Sequence, residues 1–359
     1  MHRNVVLLLV VNILLSIIIV SSSHSWFSVW VGLEMNSLSV LPILCYQFSP
    51  RGVESTIKYF LIQAFSAAMI LNIALVQLWL VSSWSVSQPL GWFSSVVLTL
   101  ALSLKLGLFP CHYWFPDVMQ GVGFIQGLLL STWQKVAPFI ILVSVAENIS
   151  NILLVSMGCT SVIIGGWGGL NQVQTRKIMA FSSISHLGWI CSVLAYSAYI
   201  SCVMFLVYIV ISSGVFLLNN EFNLYNLSLL SRLVYYNSWV GGLLISSILS
   251  LGGLPPLTGF LNKFLALECL LANNVLLPCG IMVVGSLFSL FFYLRIGFNS
   301  ILCLFPQHSL MLFSWRNIKL FSGNAQIYNL GVSIILVLSI LGLVMLPSFW
   351  CILSNSNKP

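Results

Sequence analysis

The sequence predicts an all-α, polytopic membrane protein of about eleven spans. Three observations carry that prediction. Of its 359 residues 59% are hydrophobic and only 5% are charged, with a mean hydropathy of +1.05. Ordinary globular chains carry about 25% Asp, Glu, Lys and Arg, so there is too little charge here for a solvated surface, and lipid must be the solvent for most of the chain. Apolar runs of spanning length recur from one end to the other. Finally, some of the few ionisable side chains fall inside those runs rather than between them.

The spans are expected at residues 5–20, 26–46, 56–80, 92–120, 124–146, 152–170, 178–195, 198–218, 239–271, 275–302 and 327–347. The first begins almost directly after Arg3, with no Arg-rich presequence and no small-residue cleavage site, and is read as a retained span rather than a leader. Two runs are expected to be broken. As one helix, 92–120 would be about 43 Å long against a hydrocarbon core of about 30 Å. It contains Pro110 and Pro116, and the run 239–271 contains Pro255 and Pro256. Irregular backbone at membrane depth survives only where protein or water surrounds it, as in the interrupted helices of transporters.

Each span flips the side of the chain, and short basic loops stay on the inner side. On this count Arg3, Arg51, Lys58, Arg176, Lys177, Arg232, Arg316 and Lys319 share the N-terminal side, and only Lys358 lies opposite. The N-terminus is therefore expected on the cytoplasmic or matrix side and the C-terminus outside. The spans divide into a first block of five (residues 1–146), a second block of five (152–302) and a C-terminal helix (327–347). An odd number per block inverts the second relative to the first, matching the two broken spans to each other. The match is imperfect, because Lys105 precedes its break and Lys263 follows its own.

Glu34, Lys105, Lys135 and Lys263 sit well within spans. At about 2.5–3.5 kcal/mol each on the insertion scale, they cost on the order of 10 kcal/mol together, which points to function. A desolvated lysine holds its proton less tightly and a nearby carboxylate restores it, so a lysine with a movable negative partner can load and release a proton. In this scheme Glu34 modulates Lys105, Lys135 is the central relay and Lys263 hands the proton on. The alternative is a structural Glu34–Lys105 ion pair with the other two lysines snorkelling to the interface; Lys135, mid-span with Pro138 one turn on, argues against it. His186, among Ser182, Ser183 and Ser185, reads either as a proton shuttle or as a satisfied core histidine. His112 beside the first break reads the same way, or as a donor to carbonyls the break frees.

Several functions are excluded. The basic residues form no patch or aromatic-interleaved groove, so no nucleic-acid partner is expected. Nine cysteines at irregular spacings without a C-x-x-C pair read as small core residues. There is no dinucleotide fingerprint after a strand, no P-loop and no haem-type histidine pair, so no cofactor and no metal are expected in this chain. The run GGWGGLNQ reads as close helix packing and a turn before Arg176 rather than a phosphate loop.

The segments SHSWFSVWVGLEMN, LKLGLFPCHYWFPDV, TWQKVAP, GGWGGLNQVQTRKIMAFSSISHLGW and GGLPPLTGFLNK, in this order and spacing, resemble the subunit 2 family of mitochondrial NADH:ubiquinone oxidoreductase, respiratory complex I. That family is similar in turn to subunits of multi-subunit cation/proton antiporters, built from two inverted five-helix bundles. The resemblance implies Glu34, Lys105, Lys135 and Lys263 as proton-channel residues, each within its own motif, with His112 and His186 as neighbours in a hydrated path. It implies a place in the mitochondrial inner membrane, with the N-terminus on the matrix side and the C-terminus towards the intermembrane space. It implies membrane-arm and accessory subunits and bilayer lipid, cardiolipin included, as partners. NADH, FMN, iron–sulfur clusters and ubiquinone would belong to other subunits, so the chain is enzymatic only by membership. The chain looks like the shortened animal form, lacking three N-terminal helices of bacterial relatives, and has Asn262 and Phe264 where the family often has proline and tryptophan. A stand-alone transporter and a purely structural scaffold remain the alternatives.

Overall fold

The structure, a computed structural model, describes residues 3–46, 48–230, 238–255 and 257–302. The expected helix at 327–347, Pro256, and the basic residues Arg232, Arg316, Lys319 and Lys358 lie outside the described residues. Among those described, every predicted span is helical and the β-structure is confined to two isolated bridges.

Helices α1 (Arg3–Ser22) and α2 (Trp26–Leu44) pack against each other, with Ser25 capping α2 by accepting from the Ser28 amide. Helix α3 runs Pro50–Val81, starting well before the predicted residue 56. Ser49 caps it and Pro50 opens its first turn, where a missing N–H costs nothing. The loops at the far ends of these helices are tied together: the Trp26 amide donates to the Trp84 carbonyl at 2.9 Å and Val86 to His24 at 3.0 Å.

The first expected break is present and contains Pro110, though it opens earlier, at a glycine. Helix α4 (Trp92–Leu106) ends at Gly107, whose φ of 73° is left-handed, and α5 (Trp114–Gly121) resumes after Tyr113. Pro110 lies between the two, while Pro116 does not break anything. It occupies the first turn of α5, where amides have no partner within the helix. The span expected as continuous at 124–146 is also broken, into α6 (Phe124–Ser131) and α7 (Trp133–Val145), with Thr132 at φ −114°, ψ −75° between them. No glycine or proline marks that step, so sequence pattern alone did not reveal it. A short 3₁₀ turn, Ala146–Asn148, follows.

Helices α8 (Asn151–Gly169), α9 (Thr175–Leu194) and α10 (Ala198–Glu221) come next, then α11 (Ser238–Gly252), α12 (Thr258–Ala272) and α13 (Leu276–Leu302). The break between α11 and α12 is the second one expected, and it too begins at a left-handed glycine, Gly253, with φ 75°. Asn262 and Phe264 lie inside continuous α12. Helix α9 is the axis of the fold, buried almost throughout. It meets α8 at backbone distance: a Cβ on Gly165 would lie 2.7 Å from the Ser185 amide nitrogen, and one on Gly158 would lie 2.7 Å from the Gly188 carbonyl. Gly166 approaches the Gly285 carbonyl of α13 in the same way. The glycine run is thus a helix-packing surface, as expected.

Outward-facing side chains are large and apolar, among them Leu7, Trp79, Phe93, Ile152 and Leu276. In water such a surface would aggregate; in hydrocarbon it is solvated. Seven cysteines are free among the described residues.

Replacing Gly165 by alanine is expected to force α8 and α9 apart at a cost of about 1–3 kcal/mol. A lowered thermal midpoint of the purified assembly checks this, with Gly280→Ala, which meets nothing within 4 Å, as the control.

Candidate functional site

The buried apolar residues form two clusters rather than one, stacked along the helix axes. Helix α2 passes from one at Leu33 to the other at Val40, and α9 from Ile184 to Leu187. Helix α7 enters its cluster at Ala137, while α6 belongs to the other through Leu130. Polar side chains collect at each crossing: Glu34 and Asn36, Gln63, Lys105, Lys135, His186, and Asn262 with Lys263. A polar seam therefore runs through the fold at mid-height.

Each helix break places a free carbonyl in that seam, and each carbonyl is met by a donor from another element. At the first break the Leu104 carbonyl accepts from Trp114 Nε1 at 3.0 Å. At the α6–α7 step the Ser131 carbonyl accepts from the Tyr208 hydroxyl of α10 at 3.3 Å. At the third the Gly252 carbonyl accepts from Lys263 Nζ at 2.7 Å. Lys263 thus reaches back across its break to the end of the first half-helix, and its side chain lies against Gly253. Lys105 is in the last turn of its own first half-helix. The two lysines, on opposite sides of their breaks in sequence, both lie near the C-terminal end of a half-helix, where positive charge is favourable, but only Lys263 bonds its carbonyl.

Lys105 is 4% exposed and donates to Gln63 Oε1 of α3 at a long 3.5 Å. Glu34 is half-buried, accepts from the Ser37 hydroxyl at 3.3 Å, and lies close enough for its charge to act on Lys105 and on Tyr59. The two do not touch: among the described residues the ion pair formed is Lys58–Glu54, on the exposed first turns of α3. A fixed Glu34–Lys105 pair is therefore not the resting arrangement.

Lys135 is 1% exposed, and its ammonium has no hydrogen-bond partner. It lies 4.3 Å from the ring centre of Phe115 on α5 and 5.9 Å from that of Tyr208. It stands in the first turn of α7, just past the Thr132 step, rather than in mid-helix. His186 is buried, its ring 5.5 Å from that of Tyr208, within electrostatic reach of both Lys135 and Lys263. The structure therefore groups Glu34 with Lys105, and Lys135 with His186 and Lys263. His112 joins neither group: it is buried against Tyr113 with Nδ1 unpartnered and faces the backbone of Pro110 within the break, while the Leu104 carbonyl is served by Trp114.

Sequence reasoning passed over the neutral polar groups of the seam. Tyr59 donates to Gln134 Oε1 at 2.9 Å and Gln134 Nε2 donates to Asn36 Oδ1 at 3.1 Å, joining α3, α7 and α2. Both Gln134, next to Lys135, and Asn36, two residues from Glu34, lie in the quoted motifs, and that adjacency was the available signal. Among the described residues no group of His, Cys, Asp or Glu is arranged to hold a metal ion.

A family model described as NADH:quinone oxidoreductase/Mrp antiporter, transmembrane, matches residues 23–289. The chain belongs to that family. Within the antiporter family it is 73% identical over 350 residues to the NADH-ubiquinone oxidoreductase chain 2 of Pisaster ochraceus, covering 98% of this chain and 99% of that one. It is 58% identical to the protein of the same name from Patiria pectinifera, covering 99% of this chain and 100% of that one. Among solved structures, a chain of respiratory complex I from Thermus thermophilus is similar with a TM-score of 0.80 at 25% identity, over 97% of this chain and 80% of that chain. The Mrp complex of a Dietzia species shares the fold, with a TM-score of 0.73 at 17% identity over 81% of this chain and 59% of that one. Membership of the antiporter family makes the chain a multi-pass membrane protein and a subunit of a multi-subunit assembly.

Gln134→Leu leaves both Tyr59 and Asn36 without their partner and is expected to destabilise by about 1–3 kcal/mol, against about 0.5–1.5 kcal/mol for Tyr59→Phe. Thermal midpoints of the two variants in the same detergent check the order.

Proposed function

We propose that this chain is a proton-translocating membrane-arm subunit of mitochondrial NADH:ubiquinone oxidoreductase, moving protons from matrix to intermembrane space through Glu34, Lys105, Lys135, His186 and Lys263. The observation that carries the reading is Lys135: an ammonium 1% exposed and without a hydrogen bond is unfavourable as a permanent state, and so suits a group that exchanges its proton. Within electrostatic reach it has Cys191 and His186, and His186 in turn has Lys263, so a change of charge at one is felt at the next.

In this mechanism Glu34 alternates between its Ser37 contact and Lys105, setting when Lys105 holds a proton. Lys135 accepts the proton, and Lys263 passes it on while anchored at the carbonyl end of α11. Water admitted at the breaks would bridge these groups. A polar cavity of about 270 Å³ lined by Arg51, Glu54, Lys58 and Asp117 lies at the start of α3 and along α5, at the Arg3 end of the fold. It is the proposed aqueous mouth on the matrix side. His112, unconnected to the row, is assigned a lesser role beside the first break.

The reading extends to the surroundings. The chain consists of a first five-helix block, an inverted second block and a C-terminal helix, with the N-terminus in the matrix and the C-terminus in the intermembrane space. NADH, FMN, iron–sulfur clusters and ubiquinone are handled by other subunits, and this chain contributes no redox group. Its flanks contact membrane-arm and accessory subunits and lipid, cardiolipin among them. Two features support membership of the respiratory assembly over a free-standing antiporter: the identity to chain 2 proteins runs nearly end to end, and the complex I chain is the better structural match.

Lys135→Ala in the assembled complex is expected to cut NADH-driven proton pumping to below about a tenth of wild type, since loss of a positioned proton-transfer group costs about 10²–10⁴ in rate. Quenching of a pH-sensitive dye in sealed vesicles, normalised to assembled complex, measures it. Normal pumping by this variant would instead favour a structural scaffold.

A further inference from the structure

We propose that Phe115 is a gate between Lys105 and Lys135, carried on the segment that the break after Leu106 sets free; the proposal rests on the proton-transfer reading above. Phe115 is 1% exposed, yet it is rooted on the hinge itself: a Cβ on Gly107 would lie 3.3 Å from Phe115 Cβ. Its ring centre is 4.3 Å from Lys135 Nζ. One residue therefore touches both the end of the helix that carries Lys105 and the ammonium of Lys135.

The chemistry of the two rings around Lys135 differs. Tyr208 has a hydroxyl, bonded to the Ser131 carbonyl, and lies on the side of His186. Phe115 has no polar atom, and the Lys135 ammonium has no hydrogen-bond partner. Towards the break that follows the helix of Lys105, Lys135 is thus covered by an apolar aromatic face. A ring face attracts an ammonium but has no such hold on a neutral amine. The gate is therefore shut by the charge it guards: protonated Lys135 keeps Phe115 in place, and deprotonated Lys135 releases it.

Movement is provided for. The segment begins after a left-handed glycine, and across the break Trp114, next to Phe115, latches it to α4 through one hydrogen bond to Leu104. When the ring withdraws, water enters between the lysines. An N–H bond of the Lys105 ammonium breaks and its proton bonds to a water oxygen; another O–H bond of that water breaks, and its proton forms the new N–H bond on Lys135. Total charge is unchanged, and the ring closes on the new cation. The titratable groups facing Lys135 are Cys191 and His186 on α9 and Tyr208 on α10.

The test uses the assembled complex in sealed vesicles, reading protons pumped per NADH oxidised, passive proton leak, and the pH dependence of pumping. Phe115→Ala opens the path permanently and is expected to lower pumping per NADH severalfold and raise the leak. Phe115→Leu keeps the bulk but loses the ring face, and is expected to pump while its pH midpoint moves by about one unit. If both variants match wild type in all three measurements, the gate is refuted. Should Phe115→Ala fail to assemble, Phe115→Leu decides alone, and an unchanged pH profile refutes the proposal. Lys135→Ala run in parallel separates the failures: normal pumping there overturns the proton-transfer reading, whereas lost pumping there with inert Phe115 variants overturns only the gate.

Discussion

Nothing in hydrocarbon donates a hydrogen bond to a peptide carbonyl, so a membrane helix that stops midway must find its donors within the protein. This constraint organises the fold. The interruptions after Leu106, Ser131 and Gly252 each turn out a carbonyl, and the indole of Trp114, the phenol of Tyr208 and the ammonium of Lys263 come from elsewhere in the chain to meet them. Those donors then fix their neighbours. Trp114 brings Phe115 to Lys135, Tyr208 stands between Lys135 and His186, and Lys263 is itself one of the charges. Backbone satisfaction and placement of the ionisable groups are one arrangement.

The same logic explains why the apolar core comes in two layers. A single continuous core would leave the buried lysines surrounded by aliphatic side chains, at a cost no neighbour offsets. By dividing the core, the chain opens a level where serines, Gln63, Asn36 and Gln134 can stand beside the charges. Neutral hydrogen-bonding groups of this kind solvate without fixing a proton, which suits groups whose charge must change.

Much of this was legible in the sequence, because lipid allows few solutions. Composition and run length identified the spans, and the proline-containing runs identified two broken helices, since both signals are local. The details missed are those that depend on contacts between distant segments. Pro116 was expected to interrupt a helix and instead begins one, because Gly107 had already ended the preceding helix. The Thr132 step has no glycine or proline to announce it, and its stabilising partner, Tyr208, is far along the chain. Spacing alone likewise put Lys105 and Lys263 on mismatched sides of their breaks, while the long reach of Lys263 returns it to the helix end before its break. The row of ionisable residues and the coupling of Glu34 to Lys105 were recognisable, but the gathering of Lys135, His186 and Lys263 into a second group was not.

The glycine contacts joining α8, α9 and α13 bring their backbones together at several points with no side chain between. Side chains are what let packed helices slide or roll, because rotamers can readjust as the axes shift. Where peptide meets peptide there is no such cushion, and the three helices resist sliding against one another. His186 rides on this group, whereas Lys105, Lys135 and Lys263 sit on or beside interrupted helices around it. Displacement costs least in the interrupted helices around it, so the histidine has the stiffest footing of the buried ionisable groups.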